Sequence, residues 1–90
     1  MSARGVELRQ SVPNPASGRA EIVYSLSERG SVELVLYDAA GKVVGQLANG
    51  MQETGDHVVG VDVSGLSSGV YHYRLTANGT MLSRDMTVVR

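Results

Sequence analysis

The chain contains no cysteine, no phenylalanine and no tryptophan, and it has only two prolines, Pro13 and Pro15. Without cysteine there is neither a disulfide framework nor a thiolate zinc site, so the hydrophobic core must hold the fold alone. That core is thin: 90 residues make one domain rather than two, and such a chain buries roughly two-thirds of its unfolded surface. Charge of one sign is also missing. Eight Lys and Arg stand against nine Asp and Glu, interspersed, which leaves no basic stripe for nucleic acid and no acidic solvating arm. No apolar run approaches the ~18 residues of a membrane span, so membrane insertion is not expected. The opening "MSARGVELRQ" lacks the apolar region of a secretory signal. An exported version of this domain therefore needs an export signal upstream of it.

What is present is alternation. No segment keeps a 3.6-residue period long enough for a helix, whereas period-2 patterns recur throughout. "VELRQ" (6–10) reads as a short first strand. "RAEIVYSLS" (19–27) sets Ala20, Ile22, Tyr24 and Leu26 on one face, and "SVELVLYD" (31–38) sets Val32, Leu34 and Leu36 inward with Val35 and Tyr37 opposite. "AAGK" closes a hairpin into "KVVGQLAN" (42–49), and "GMQETG" (50–55) reads as a longer mobile surface loop. "DHVVGVDVS" (56–64) aligns His57, Val59, Val61 and Val63. "VYHYRLTA" (70–77) aligns Tyr71, Tyr73 and Leu75, and "TMLSRDMTVV" (80–89) aligns Leu82, Met86 and Val88. Between the last two lies Asn78-Gly79, the strongest short hairpin signal, because both central residues of a type I′ turn need positive φ. Strands separated by turns every 8–12 residues, with no intervening helix, predict an all-β fold. The specific form is an immunoglobulin-like antiparallel β-sandwich of about seven strands without a disulfide.

Three stretches carry motifs, and each has a purely architectural explanation. Pro13-Asn14-Pro15 fixes φ twice, removes two backbone donors and forces extended geometry before each proline, so it makes a stiff corner between edge strands. Asp38, ahead of "AAGK" with Gly41, is a turn-forming acid that hydrogen-bonds its own backbone. In Leu66-Ser67-Ser68-Gly69-Val70-Tyr71, Leu66 plugs the end of the core and Tyr71 buries its ring with its hydroxyl on nearby backbone. Chemistry-bearing clusters are not found. His57 and His72 fall in different strands with no nucleophile coupled to either, and neither G-x-S-x-G nor H-E-x-x-H occurs. Asp56 and Asp62 offer isolated oxygens but no calcium loop. Sugar binding usually needs exposed aromatic platforms, and only Tyr37 is expected outside the core. The Asn78-Gly79-Thr80 sequon is better explained by its turn. The chain is read as a non-enzyme that needs no cofactor.

The order of these pieces says more than any one of them. "LRQSVPNPASGRAEIVYSL", "VELVLYDAAGKVV" and "GDHVVGVDVSGLSSGVYHYRLTANGTMLSRDMTVVR" are collinear. Together, from about Leu8 to Arg90, they resemble the type A C-terminal sorting domain of the type IX (Por) secretion system. Its anchors here are Pro13, Asn14 and Pro15; Tyr37, Asp38 and Gly41; Leu66, Ser68, Gly69, Val70 and Tyr71; and the ending "RDMTVVR". Ala16 and Val61 depart from the pattern, standing where larger rings are frequent.

The resemblance implies a noncatalytic address module behind an N-terminal cargo domain. Its implied partners are the outer-membrane secretion translocon and a sortase-like protease that anchors cargo to surface lipopolysaccharide. The implied destination is the surface or exterior of a Gram-negative cell, reached through the periplasm. Residues 6–90 would be the sorting domain and residues 1–5 a linker or cloning remnant. The proline corner would orient the module after a flexible linker. The terminal strand would present an unpaired edge together with Arg84, Asp85 and Arg90 for recognition.

The same sandwich also resembles the immunoglobulin-like domain of flagellar hook-capping proteins, a structural assembly module. That version carries a longer polar insertion before the "SGVY" corner than "DVSGLSSGVY" has. A fibronectin-like spacer or adhesion domain is a third reading. All three predict burial of Ile22, Tyr24, Leu34, Leu36, Val59, Val61, Tyr73 and Leu75 between two sheets.

Overall fold

The computed structural model describes residues 2–3 and 5–90. Seven longer strands carry the sandwich: β3 (Val12–Ser17), β4 (Arg19–Leu26), β5 (Gly30–Tyr37), β6 (Val43–Gln52), β7 (Gly55–Asp62), β8 (Gly69–Ala77) and β9 (Thr80–Val88). Two short segments precede them, β1 (Ser2–Ala3) and β2 (Val6–Leu8), and no helix occurs among the described residues. In the first sheet β4 lies between β2 and β7, with β1 on the outside of β2. The second sheet runs β6-β5-β8-β9, antiparallel throughout.

The alternating patterns bury as expected. Ile22, Tyr24, Leu34, Leu36, Val61, Tyr73 and Leu75 are all buried, and Leu82, Met86 and Val88 of the last strand complete the core. Val59 differs: it packs against the core but is only partly buried, because it lies on a strand at the rim of its sheet. Val35, on the outward face, is nevertheless buried at 8% exposure. The predicted loop over 50–55 is also corrected. Gly50, Met51 and Gln52 continue β6 against Val32, Ser31 and Gly30, leaving Glu53 and Thr54 as the connection. Gly50 reaches this geometry with φ 111°, so the glycine that suggested a loop instead serves a strand.

The proline segment does more than turn a corner. Its first residue, Val12, pairs with Glu21 of β4, whereas Ala16 pairs in parallel with Val88 of β9. Strand β3 therefore passes from one sheet to the other and closes that flank of the sandwich. Both Xaa–Pro peptide bonds within it, Val12–Pro13 and Asn14–Pro15, are cis. The approach to β3 is pinned by Tyr73. Its ring is fully buried, its hydroxyl donates to the Arg9 carbonyl at 2.8 Å, and the same oxygen accepts the Ser11 amide at 2.8 Å.

Tyr73→Ala removes both the ring and this pin, and is expected to cost ~3–5 kcal/mol. Tyr73→Phe keeps the ring but leaves a buried amide and carbonyl unpaired, for a loss of about 1–3 kcal/mol. Burial also holds the Tyr73 hydroxyl above a tyrosine's ordinary pKa. The folded state thus favours the protonated phenol. Its contribution is complete below about pH 10 and is lost as the pH climbs beyond it. Thermal melts should show all three effects, with the alkaline loss reduced in Tyr73→Phe. An unchanged Tm for Tyr73→Ala would remove Tyr73 from the core.

Candidate functional site

The three motif stretches, distant in sequence, gather at one end of the sandwich. The β5–β6 hairpin supplies Asp38, whose carboxylate accepts the amides of Ala40 at 3.0 Å and Lys42 at 2.9 Å. Gly41, at φ 86°, completes the turn by donating its amide to the Asp38 carbonyl. The β7–β8 corner supplies Leu66, which packs against the core, and Tyr71, whose hydroxyl donates to the Ser67 carbonyl at 2.7 Å. Both corners therefore work as their residue types predict. Between them lies a shallow groove of about 300 Å³, bounded by Asp38, Ala39 and Ala40 on one side and Ser68, Gly69, Val70 and Tyr71 on the other. A larger concavity of about 470 Å³ at the opposite end is lined by Ser31, Glu33, Asn49, Thr76 and Asn78 among others, and touches none of the motif residues.

The end of the chain is fastened beside the groove. Ser68 Oγ accepts the Arg90 amide at 3.0 Å, and the Ala16 carbonyl accepts the Val89 amide at 2.9 Å. Asn14 Oδ1 accepts the Thr87 amide at 2.9 Å. The middle residue of the proline motif thus acts as a surrogate backbone carbonyl for the last strand. Sequence reasoning missed this role, although an Asx side chain between two donor-less prolines is the available signal. Gln10 was missed as well; its amide nitrogen donates to the Asp85 carbonyl at 2.6 Å.

These contacts correct the expected free edge on the terminal strand. Along 85–89, β9 is engaged by residues 10–16 because β3 crosses onto it. Nor do Arg84, Asp85 and Arg90 converge. Arg84 turns inward, donating Nε to the Leu8 carbonyl at 2.9 Å and Nη1 to Gln10 Oε1 at 3.3 Å. Asp85 faces outward and pairs with His72 at 2.6 Å. Only Arg90 lies by the motif corner, and it is exposed.

On the outer face of the second sheet, Arg74 stacks over the Tyr37 ring at 5.0 Å and donates to its hydroxyl. The two histidines sit in different sheets, His57 stacked on Tyr24 in the first and His72 in the second. Asp56 and Asp62 occupy opposite ends of β7, held by Ser25 and Ser64 respectively. No group of three potential metal ligands forms among the described residues.

With this geometry in place, the comparisons with known proteins become decisive. Over residues 12–89 the chain matches the secretion system C-terminal sorting domain. It belongs to that family. No curated protein matches it significantly. Among solved structures it is similar to dimeric latent PorU from Porphyromonas gingivalis, with a TM-score of 0.74 at 19% identity. That alignment covers 93% of this chain and 9% of the other, so the likeness is one of fold over a small part of a much longer protein. The sorting domain is a C-terminal signal for type IX secretion, which exports proteins across the outer membrane to the cell surface or the medium. The match separates this reading from the hook-cap and spacer alternatives.

Two measurements test the site as described. Asn14→Ala and Ser68→Ala should each release one amide of the tail, at a cost of ~1 kcal/mol or less. Hydrogen exchange should quicken at Thr87 and Arg90 respectively while Tyr73 stays protected; unchanged exchange would show that the tail is held otherwise. Chelator should leave the Tm unchanged, and a fall would reveal a cation bound around Asp56 or Asp62.

Proposed function

We propose that this sorting domain acts as a folded, noncatalytic handle whose motif end is the surface read by the outer-membrane translocon. The observation that carries the reading is convergence: the corners at 38–40 and 68–71 face each other across one groove, the tail is bonded to Ser68 at its side, and Asn14 of the proline segment is bonded to that tail. A groove with two exposed alanines on its lip, Ala39 and Ala40, presents main chain and small side chains to a partner. Arg90 adds a cation beside it. Of the three charged residues expected to mediate recognition, Arg90 and Asp85 face outward and are proposed as contacts. Arg84 is proposed to act indirectly, by holding residues 8–10 against β9. The N-terminal cargo travels with the handle, and a sortase-like protease is the proposed agent of its removal and of cargo anchoring.

The test fuses a periplasm-targeted reporter ahead of the domain in a cell with a type IX system. The fusion should reach the surface or medium. Ala40→Arg, which fills the lip of the groove without touching the core, should lower export at least several-fold while the purified domain keeps its Tm. Deleting residues 86–90 should also trap the reporter, but this variant loses Met86 and Val88 from the core and must be shown to fold. Periplasmic retention of the folded wild-type fusion would defeat the sorting role. Normal export of Ala40→Arg would move recognition away from the groove.

A further inference from the structure

The two flanks of the sandwich are unlike. One is closed by β3, whereas on the other no described strand pairs with β6 beyond β5 or with β7 beyond β4. Which groups β7 turns outward follows from the register. The Arg9 amide donates to the Val23 carbonyl, so the peptides of odd-numbered residues in β4 face β2 and the even ones face β7. The β4–β7 register is unbroken from Arg19↔Asp62 to Leu26↔Gly55. His57, Val59 and Val61 therefore bond to β4, and Asp56, Val58, Gly60 and Asp62 turn their amides and carbonyls to the open side. The Val63 amide, which donates to the Gly18 carbonyl, continues the inward set.

Natural edge strands are usually blunted by bulges, proline or lysine. Strand β6 follows this rule, with register breaks opposite Leu34/Val35 and Leu36/Tyr37. Strand β7 has no bulge, no proline and no lysine. Its outer face carries one apolar group and two charges of opposite sign. Val58 is 60% exposed. Two residues before it, the Asp56 side chain is 62% exposed, held by Ser25 and lying 4.0 Å from Arg9. Two residues after it, Gly60 is covered by a cation from the neighbouring strand: the Arg19 guanidinium occupies the space that a Cβ on Gly60 would need. That guanidinium makes no hydrogen bond or close ion pair among the described residues. Asp62, opposite Arg19 in the register, turns instead to the Ser64 hydroxyl and amide, and Glu21 lies on β4, a strand farther from the edge.

We propose that the β7 edge pairs antiparallel with the β7 edge of a second copy of this chain, about a two-fold axis at Val58. For the two main chains to bond, outward residues must oppose outward residues. The axis can then fall at His57, Val58, Val59 or Gly60, and the side chains choose among these. At Val58 the two exposed valines meet, and each Asp56 comes opposite the other copy's Gly60, where Arg19 lies. Symmetry makes that ion pair twice, and Asp62 faces the uncharged Thr54. An axis at Val59 opposes Asp56 to Asp62 twice, and directly opposed like charges destabilise a sheet. An axis at Gly60 crowds two Arg19 guanidiniums at the seam and sets Val58 against Asp62, whereas one at His57 sets Val58 against Asp56. The Val58 register alone is complementary in both apolar contact and charge. It joins the first sheets of two copies into one continuous sheet. A seam of one strand pair is small, which puts the association at the weak end of specific interfaces. Residues 54–62 form it and the groove at 38–40 and 68–71 takes no part, so the pairing does not rest on the sorting role.

The test follows the purified 90-residue chain by sedimentation equilibrium and amide NMR from micromolar to millimolar concentration. The chain should dimerise as concentration rises, with the amides of Asp56, Val58, Gly60 and Asp62 shifting together and those of the groove unmoved. Asp56→Arg and Arg19→Glu should each stay monomeric, because each sets like charges across the seam. Mixed together, the two variants should form a heterodimer roughly ten-fold tighter than either alone achieves, since every pair across the seam is then of opposite sign. Thermal melts show whether each variant is folded. Val58→Lys, a change at an exposed side chain, places two cations at the axis and should dissolve the wild-type dimer; it carries the test if a charge variant fails to fold. A chain that stays monomeric at millimolar concentration, shifts that fall on another edge, or a mixture no tighter than its components would overturn the proposal.

Discussion

One buried hydroxyl organises this fold. Tyr73 lies in a central strand of the second sheet, yet its oxygen bonds the Arg9 carbonyl and the Ser11 amide, in the segment that is leaving the first sheet. A phenol sunk in an apolar core must find partners for its oxygen. Here the partners lie more than sixty positions upstream. The bond fixes where the chain departs from β2, and β3 must then run across the flank to reach β9. Everything at the motif end follows from that crossing. Ala16 meets Val88, the Asn14 side chain meets Thr87, and the tail settles against Ser68. Ala16 is completely buried where β3 meets β9.

The crossing also accounts for the asymmetry of the molecule. On one flank β3 bonds both sheets, to β4 at Val12 and to β9 at Ala16. The edges β6 and β7 lie on the opposite flank and are treated differently. Strand β6 has its pairing broken twice, whereas β7 pairs with β4 in unbroken register, with Arg9 near Asp56 and Arg19 opposite Asp62.

Local rules made much of this legible in the sequence. Period-2 alternation located every longer strand except β3, which reads as a corner, and nearly all of the core. Asn78-Gly79 forms its turn with φ 50° and 75°, and the roles of Asp38 and Tyr71 followed from residue type. What escaped was non-local. Nothing near Asn14 indicates that its carboxamide will bond Thr87, and nothing near Arg84 indicates that its guanidinium will hold Leu8. Each contact joins residues more than seventy positions apart, one between β3 and β9 and the other between β2 and β9. Proline read locally says corner; only the assembled sheets say crossover. The flank of β6 and β7 was obscured for a related reason. Glycine and polar residues at 50–55 resemble a loop until the partner strand β5 is present to pair with them.

A consequence for sorting follows from where the tail lies. Met86 and Val88 are fully buried core residues, and the amides around them are fastened to the first strands of the domain. The fastened tail beside the groove therefore exists only when the N-terminal and C-terminal parts of the chain have met. An unfolded chain carries every motif residue but not the arrangement, because the motif stretches are separated by whole strands. A receptor that reads this end of the sandwich reads the folded state of the module along with its identity. The absence of cysteine fits such a use. The arrangement depends on packing and hydrogen bonds alone, so it forms irrespective of the redox state of the compartment the domain crosses.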